Sequence, residues 1–265
     1  MKKIRRLLTH KLASAIGYYP TKKTKINELK TLLAKLYPVI PEKGLVRIGS
    51  EGNGGYLIPN NLEGIQACYS PGVSTECGFD LACAELGLQV FMADRSVDAP
   101  PVQHDSFHFS KKFIGALTNE DYMTLDSWVD TSAQDINGDL MLQIDIEGAE
   151  YEVFLSTSDH LMHRYRIIIA EFHNLERLFS RPSFHICSKV FEKILQTHTC
   201  VHIHPNNCTS TRKQSGVEIP PVCEFTFLRK DHVGESTPAN HFPNPLDYDC
   251  AKGKPITLPL CWYSN

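Results

Sequence analysis

The sequence of 265 residues lacks several features that would assign a protein class at once. It has no run of 18 apolar residues, which a membrane-spanning helix needs. Its nine cysteines form no Cys-x-x-Cys pair, so a zinc knuckle is not expected. No Gly-x-Gly-x-x-Gly motif occurs, which counts against a dinucleotide site. The net charge of −3 offers no basic excess, so nucleic acid is not an expected partner.

The N-terminus, MKKIRRLLTHKLASAIGYYP, is basic, but His10 and Lys11 interrupt the apolar core that a signal peptide would have. The pattern predicts an amphipathic helix within a basic extension over residues 1–40. We expect this helix to be solvated or packed on the domain, with peripheral contact to an anionic membrane as the alternative. In the absence of a secretory signal we expect free thiols and a cytoplasmic protein, with the inner membrane face as the alternative location.

Apolar segments alternate with helical patterns over residues 41–231. The stretch LVRIGSEGNGGYLIP predicts two strands joined by a glycine turn. Seven further strands are predicted at residues 64–70, 88–94, 106–117, 139–145, 165–173, 200–207 and 220–231. The intervening helices indicate βαβ units, whereas the last two strands are joined by a polar loop and should pair antiparallel. The predicted fold is an α/β, Rossmann-like, seven-stranded and mostly parallel sheet with a C-terminal antiparallel hairpin and helices on both faces. Residues 232–265 are expected to pack on this domain as a tail.

Two strand ends suggest a nucleoside site, because ligands of open α/β sheets bind at the carboxyl ends of strands. The first carries a turn at Gly72 followed by a helix, and the second carries Asp94 after an apolar run. An acid in that place can accept both ribose hydroxyls of an adenosine. A turn with one glycine suits a nucleoside without phosphates. The alternative is that Gly72 only turns the chain and Asp94 caps the next segment.

The segment QIDIEGAE places three carboxylates directly after an apolar strand. Asp145 and Glu147 are two residues apart and are expected to share one side of the strand. Glu150 falls in the first turn of the next helix, where the helix dipole favours an acid.

The next two predicted strands also end in acids, imidazoles and amides: Glu171, His173, His202, His204, Asn206 and Asn207. Glu224 lies within the last predicted strand, in a largely apolar run. Because adjacent strand ends lie close together, these groups can converge with Asp145. They permit two kinds of chemistry. A histidine or carboxylate can act as a general base on a hydroxyl, or Asp145, Glu171 and His173 can hold a divalent cation. The spacing decides neither, so a metal site stays open.

Three segments in order, TLDSWV, DLMLQIDIEGAEYEVF and IIIAEFHNL, resemble the FkbM-type S-adenosylmethionine-dependent methyltransferases. In that family a Thr-Leu-Asp element precedes a strand ending in Asp-x-Glu-Gly-Ala-Glu, and a later strand ends in a Glu near a His. The resemblance covers roughly residues 45–231, and residues 124–173 are its specific part. The family's first turn reads Asp-x-Gly-Ala-Asn-x-Gly, whereas the corresponding positions here are Ser70, Gly72, Ser74 and Glu76.

The resemblance implies a Rossmann-like methyltransferase that transfers a methyl group from S-adenosylmethionine to a hydroxyl, commonly of a sugar in glycans or natural products. It implies cofactor contacts from Ser70, Gly72, Glu76, Asp94 and Asp145, with Glu76 as a replacement for the missing acid. The implied catalytic residues are Asp145, Glu171 and His173. From their positions at the strand ends, we expect Glu147, His204, Asn206 and Asn207 to bind the acceptor. Two alternatives stay open: a catalytically silent binding module and, less favoured, a nicotinamide-dependent oxidoreductase.

Overall fold

The structure, a computed structural model, describes residues 20–73 and 75–264. The predicted amphipathic helix, its membrane contact and Ser74 fall outside these residues. The helices are α1 (Ile26–Lys35), α2 (Gly78–Glu85), α3 (Leu125–Ser132), α4 (Glu150–Ser156), α5 (Asp159–Arg164) and α6 (Arg181–Thr197). Within the described ranges, no helix is long and apolar enough to cross a membrane.

Among the described residues, the strands form one central seven-stranded sheet and four two-stranded sheets. Their bounds are β1 (Val39–Ile40), β2 (Leu45–Gly49), β3 (Gly55–Pro59), β4 (Ile65–Pro71), β5 (Gln89–Ala93), β6 (Phe107–Ser110), β7 (Phe113–Ile114), β8 (Tyr122–Met123), β9 (Asp139–Ile144), β10 (Tyr165–Phe172), β11 (His198–Pro205), β12 (Arg212–Gln214), β13 (Val217–Ile219), β14 (Cys223–Arg229) and β15 (Thr237–Pro238).

The central sheet has seven strands in the order β11-β14-β10-β9-β4-β5-β6. Neighbours from β10 to β6 pair parallel, whereas β14 runs antiparallel to both β10 and β11. The predicted fold, including the antiparallel last pair, is therefore confirmed. The third predicted strand was too long, because the polar residues after Ser110 end β6 and a separate short strand, β7, follows. The loop predicted between the last two strands contains the small antiparallel pair β12-β13.

Side chains alternate across the sheet, so its two faces form two apolar cores. One core contains Leu140, Leu142 and Ile144 together with residues of α1, α3, α4, α5 and α6. The other contains Met141 together with residues of β3 and α2. The β2-β3 hairpin thus covers the second face, and the Thr226 hydroxyl donates to the Leu57 carbonyl across that contact at 2.7 Å. This arrangement leaves the carboxyl ends of the central strands beneath the hairpin.

Candidate active site

A close backbone approach joins the ends of β4 and β9. Gly72 has φ +98°, and a Cβ atom there would lie 1.7 Å from the Asp145 carbonyl oxygen. Only glycine permits this approach, because any side chain would collide with backbone. Gly72 and Asp145 each line two cavities, which therefore share these residues as part of their walls.

The larger cavity, about 440 Å³, lies at the ends of β4 and β5. It is lined by Asp94 and Ser96 and by the apolar or aromatic side chains of Phe113, Ile114 and Tyr122. Asp94 is buried, and its Oδ1 accepts hydrogen bonds from the Ser96 N–H at 2.7 Å and the Ser96 hydroxyl at 2.6 Å. These bonds fix the carboxylate at the cavity wall. Apolar and aromatic walls with a fixed carboxylate beside them suit an adenine ring and the two ribose hydroxyls.

The smaller cavity, about 60 Å³, is polar. Its walls come from the β2-β3 turn, the end of β4 and the start of α2. Among its lining residues, the Ser70 hydroxyl donates to Gln143 Oε1 at 2.7 Å, and Gln143 Nε2 donates to the Tyr56 hydroxyl oxygen at 3.1 Å. Glu76, which also lines this cavity, is exposed to solvent. The predicted cofactor residues thus divide between the two cavities.

A polar row crosses five neighbouring strands on the face that the hairpin covers. Moving from β4 to β11, the row consists of Ser70, Gln143, Glu171, Glu224 and His204. Cross-strand pairing sets its last three members side by side, because Glu171 is opposite Glu224 and Glu224 is opposite His204. All five side chains are buried. Polar groups at such positions are unfavourable unless they pair or serve a ligand.

The spacing of Asp145 and Glu147 predicted that both lie on one side of the strand, but neither residue belongs to it. Strand β9 ends at Ile144, and Glu147 lies in a turn with φ +58°. The turn nevertheless brings both carboxylates to one imidazole. His173 Nε2 lies 3.8 Å from Asp145 Oδ1 and 3.6 Å from Glu147 Oε2. Three of the predicted functional residues therefore converge, through turn geometry rather than strand alternation.

Glu150 is the residue that holds this turn together. Its side chain is fully buried, and its Oε1 accepts from the Ile146 N–H at 3.0 Å and the Gly148 N–H at 3.1 Å. The same oxygen lies 3.2 Å from His173 Nδ1, so the ring's Nδ1–H donates to it. The carboxylate thus fixes the ring and directs Nε2 towards Asp145. Sequence reasoning assigned Glu150 to the helix start, which is correct but omits this contact.

Burial and like charges shift the titration of this cluster. Burial raises the pKa of Asp145 to about 6, although the nearby His173 opposes the rise. Burial, together with the charges of Asp145 and Glu224, raises the pKa of Glu171 far more. Burial disfavours the charged form of His173, but its hydrogen bond to Glu150 and the surrounding carboxylates raise its pKa overall. At neutral pH, Glu171 therefore holds a proton, His173 is cationic and Asp145 is mostly ionised.

The remaining predicted residues lie at the carboxyl end of β11. Asn206 Nδ2 donates to Glu171 Oε1 at 2.8 Å, so it orients a member of the polar row. Asn207 instead binds the C-terminal tail, since its Nδ2 donates to the Ala251 carbonyl at 2.8 Å. His204 is buried 3.5 Å from Asp247 of the same tail. The structure therefore groups Asn206 with the Asp145 cluster, whereas His204 and Asn207 contact the tail.

Sequence reasoning missed three residues at this site: Tyr56, Asp80 and Gln143. A signal existed for Gln143, because it is the one polar residue within the apolar run LMLQI. Tyr56 and Asp80 gave no local signal, since each reaches the cavity only when its element docks on the sheet.

A comparison with protein families identified one match for this chain. Residues 92–196 match the family model described as the methyltransferase FkbM domain, and this segment contains Asp94, Asp145, Glu171 and His173. The match confirms the predicted resemblance. Among solved structures, the chain is similar to the crystal structure of precorrin-6y C5,15-methyltransferase from Geobacter metallireducens GS-15, with 9% identity and a TM-score of 0.31, over 79% of this chain and 95% of that chain. That likeness is too weak to support an inference about function. A search of curated proteins found no match.

Proposed function

We propose that this chain, an S-adenosylmethionine-dependent methyltransferase with an FkbM-type domain over residues 92–196, methylates a sugar hydroxyl during the synthesis of a glycan or natural product. Residues 41–231 form the catalytic domain in this proposal, and the tail packs on it. We further propose a cytoplasmic location and a small-molecule or glycan acceptor.

The observation that carries the proposal is the position of Asp145. It lines both cavities, and its Oδ1 lies 3.8 Å from His173 Nε2. A cofactor with its adenosine in the larger cavity and its amino-acid end in the smaller one would have its sulfonium beside this carboxylate. The methyl group would therefore be delivered at the acidic cluster.

The cofactor supplies an activated methyl group, so the protein has mainly to align the acceptor and take up its proton. Asp145 is the best base, because its raised pKa remains below neutral pH and it is ionised there. Glu171, oriented by Asn206, stays protonated and can donate a hydrogen bond to a hydroxyl oxygen. His173, held by Glu150, keeps a positive charge next to Asp145 and stabilises its anion.

A divalent cation is a second way to fill the position between the carboxylates. Asp145, Glu147 and His173 each offer one ligand atom, and these atoms lie within 4.8 Å of one another. Within the described residues, Asp145 Oδ1 is buried and has no hydrogen-bond partner. Carboxylate oxygens with one imidazole suit Mg²⁺ or Mn²⁺, which would position and acidify the acceptor hydroxyl. The residues fit such an ion, although a protonated His173 satisfies the same charges.

Turnover with and without metal separates these two cases. If a cation takes part, chelation with EDTA should abolish methyl transfer and Mg²⁺ or Mn²⁺ should restore it. Unchanged turnover after chelation would show that the His173 imidazolium is sufficient.

The proposed reaction can be tested with methyl-labelled S-adenosylmethionine and a panel of monosaccharides, glycosides and nucleotide-linked sugars. A labelled O-methyl sugar is the expected product. Asp145→Asn should lower kcat by at least about 100-fold, the usual contribution of a general base. The matched control is His160→Ala, at an exposed helical position, which should leave turnover unchanged. Label found on nitrogen or carboxylate acceptors, with none on hydroxyls, would contradict the proposal.

A further inference from the structure

The smaller cavity contains a buried acid that the chemistry above does not use. Asp80 lies in the first turn of α2, is 5% exposed and lines this cavity. Within the described residues, its Oδ1 has no hydrogen-bond partner. An acid in the first helical turn is favoured by the helix dipole, but an exposed position would serve that purpose equally well. Burial of an unpaired carboxylate oxygen is costly and calls for a ligand that offsets it.

The neighbours of Asp80 favour a cation as that ligand. Burial raises its pKa to about 6, and the adjacent Ser70 hydroxyl opposes the rise. No described lysine or arginine lines the cavity. The carboxylate is thus left ionised near neutral pH without a positive partner. A ligand ammonium entering the cavity would provide one.

The position of Asp80 also fits the difference between this chain and the FkbM pattern in the turn after β4. The FkbM pattern has an acid where this chain has Ser70, and the Ser70 hydroxyl is already used in a bond to Gln143. Asp80 lies beside Ser70 but comes from the following helix. Glu76, the replacement expected from the sequence, is exposed. Because solvent screens an exposed carboxylate, an ion pair between Glu76 and a ligand would be weaker than one made by the buried Asp80.

A donor for a carboxylate is present in the same cavity. The Tyr56 hydroxyl oxygen accepts from Gln143 Nε2 at 3.1 Å, which leaves its own proton free to donate. One acid and one hydroxyl donor, both buried, are complementary to the ammonium and carboxylate of an amino acid.

We infer that Asp80 binds the α-ammonium of the amino-acid end of the cofactor, in place of the acid missing at Ser70. This inference rests on the cofactor of the proposed function. It adds a binding residue from α2 and predicts that the chain recognises the amino-acid end separately from the adenosine.

Two ligands that differ at this end provide the test. S-adenosylhomocysteine carries the amino acid, whereas 5′-methylthioadenosine has the same nucleoside without it. Each is titrated by calorimetry into the wild-type protein, Asp80→Asn and the rival variant Glu76→Gln. Asp80→Asn should weaken S-adenosylhomocysteine binding by about 10- to 100-fold, as expected for a charged hydrogen bond. It should leave the affinity for 5′-methylthioadenosine within about twofold, which also shows that the variant is folded.

Two outcomes would overturn the inference. One is unchanged binding of S-adenosylhomocysteine to Asp80→Asn, and the other is that Glu76→Gln rather than Asp80→Asn loses affinity. If the wild-type protein binds neither ligand, the cofactor assignment fails together with the inference. If Asp80→Asn does not unfold cooperatively, Asp80→Ser replaces it and is judged by the same ratio of affinities.

Discussion

Strands β9, β10 and β14 carry charged residues at both ends, and the two ends differ in how the charges are paired. At one end Asp139, Arg166 and Arg229 form a closed set. Arg166 Nε and Arg229 Nη1 both donate to the Asp139 carboxylate at 2.7 Å. These contacts lower the pKa of Asp139 in spite of its partial burial. Opposite charges pair here, and these ion pairs stabilise the folded protein.

At the other end of the same strands, like charges meet. Asp145, Glu171 and Glu224 are gathered there, and burial raises the pKa of each. A cationic group next to Asp145 is His173, whose Nε2 lies 3.8 Å from Asp145 Oδ1. A fold can satisfy charges, as the first end demonstrates, so their accumulation at the second end indicates a ligand or a reaction. The comparison predicts that the two ends respond differently to substitution.

The largest difference is expected in turnover. Asp145→Asn should lower kcat by at least about 100-fold, because it removes the proposed base. Asp139→Asn changes the same residue type at the start of the same strand and should leave kcat of the folded protein within about twofold. Steady-state rates at a temperature where both variants are folded provide the measurement. Equal losses in the two variants would remove the functional distinction between the ends.

Stability should respond in the opposite sense. Asp139→Asn leaves Arg166, which is buried, without its charged partner and should lower the free energy of unfolding by about 2 kcal/mol. Asp145→Asn should cost less than about 0.5 kcal/mol or stabilise the fold, because it relieves repulsion between carboxylates. Urea unfolding at pH 7 measures both values. A larger loss for Asp145→Asn would contradict the comparison.

The two ends should also differ in their pH dependence. The pKa of Glu171 is raised in the folded state, so the folded protein releases this proton only at higher pH than the unfolded chain does. Stability should therefore fall as pH rises from about 4.5, the ordinary pKa of a glutamate, towards about 9, by at least about 1 kcal/mol. The raised pKa of His173 acts in the same direction.

Glu171→Gln should flatten this decline, because it removes the titrating group. The depressed pKa of Asp139 has the opposite effect, since its stabilisation is lost as pH falls through the acid range. Asp139→Asn should therefore flatten only the acid limb. The measurement is the free energy of unfolding of each variant from pH 4 to 9. A decline with rising pH that is as steep in Glu171→Gln as in the wild-type protein would contradict the role given to Glu171.

The smallest effect is expected for a solvent-exposed pair. Arg95 Nε lies 3.0 Å from Asp121 Oδ1, and both side chains are about half exposed. Asp121→Asn should change the free energy of unfolding by less than about 0.5 kcal/mol. This variant calibrates the urea measurements, because a loss as large as that of Asp139→Asn would mean that burial does not decide the strength of these pairs.

The sequence predicted the central sheet well, because strand formation depends on local apolar patterns. Runs such as YRIIIAEF are apolar enough to define a buried strand without tertiary information. The polar residues that follow those runs also predicted which groups meet, namely Asp145 and His173. Adjacent parallel strands end at one edge of the sheet, which places the two residues near each other, and the turn after β9 then brings Asp145 to the imidazole.

The parts that could not be predicted depend on how elements dock. Asp80 is indistinguishable in sequence from an ordinary helix-start acid, and only the packing of α2 against the sheet buries it. Glu150 likewise follows a glycine turn that folds back to His173, which no local pattern specifies. Thr124, part of the family motif, caps α3 by accepting from the Ser127 N–H at 3.1 Å, so its role is structural.

The central claim is that the cofactor lies across Gly72 and Asp145, with its ribose hydroxyls hydrogen-bonded to Asp94. Calorimetric titration of S-adenosylhomocysteine into the wild-type protein and Asp94→Asn tests it most directly, with NADH as the control ligand. We expect one site in the wild-type protein, affinity weakened by about 10- to 100-fold in Asp94→Asn and no binding of NADH. Binding that Asp94→Asn leaves unchanged, or no binding at millimolar ligand, would contradict the account.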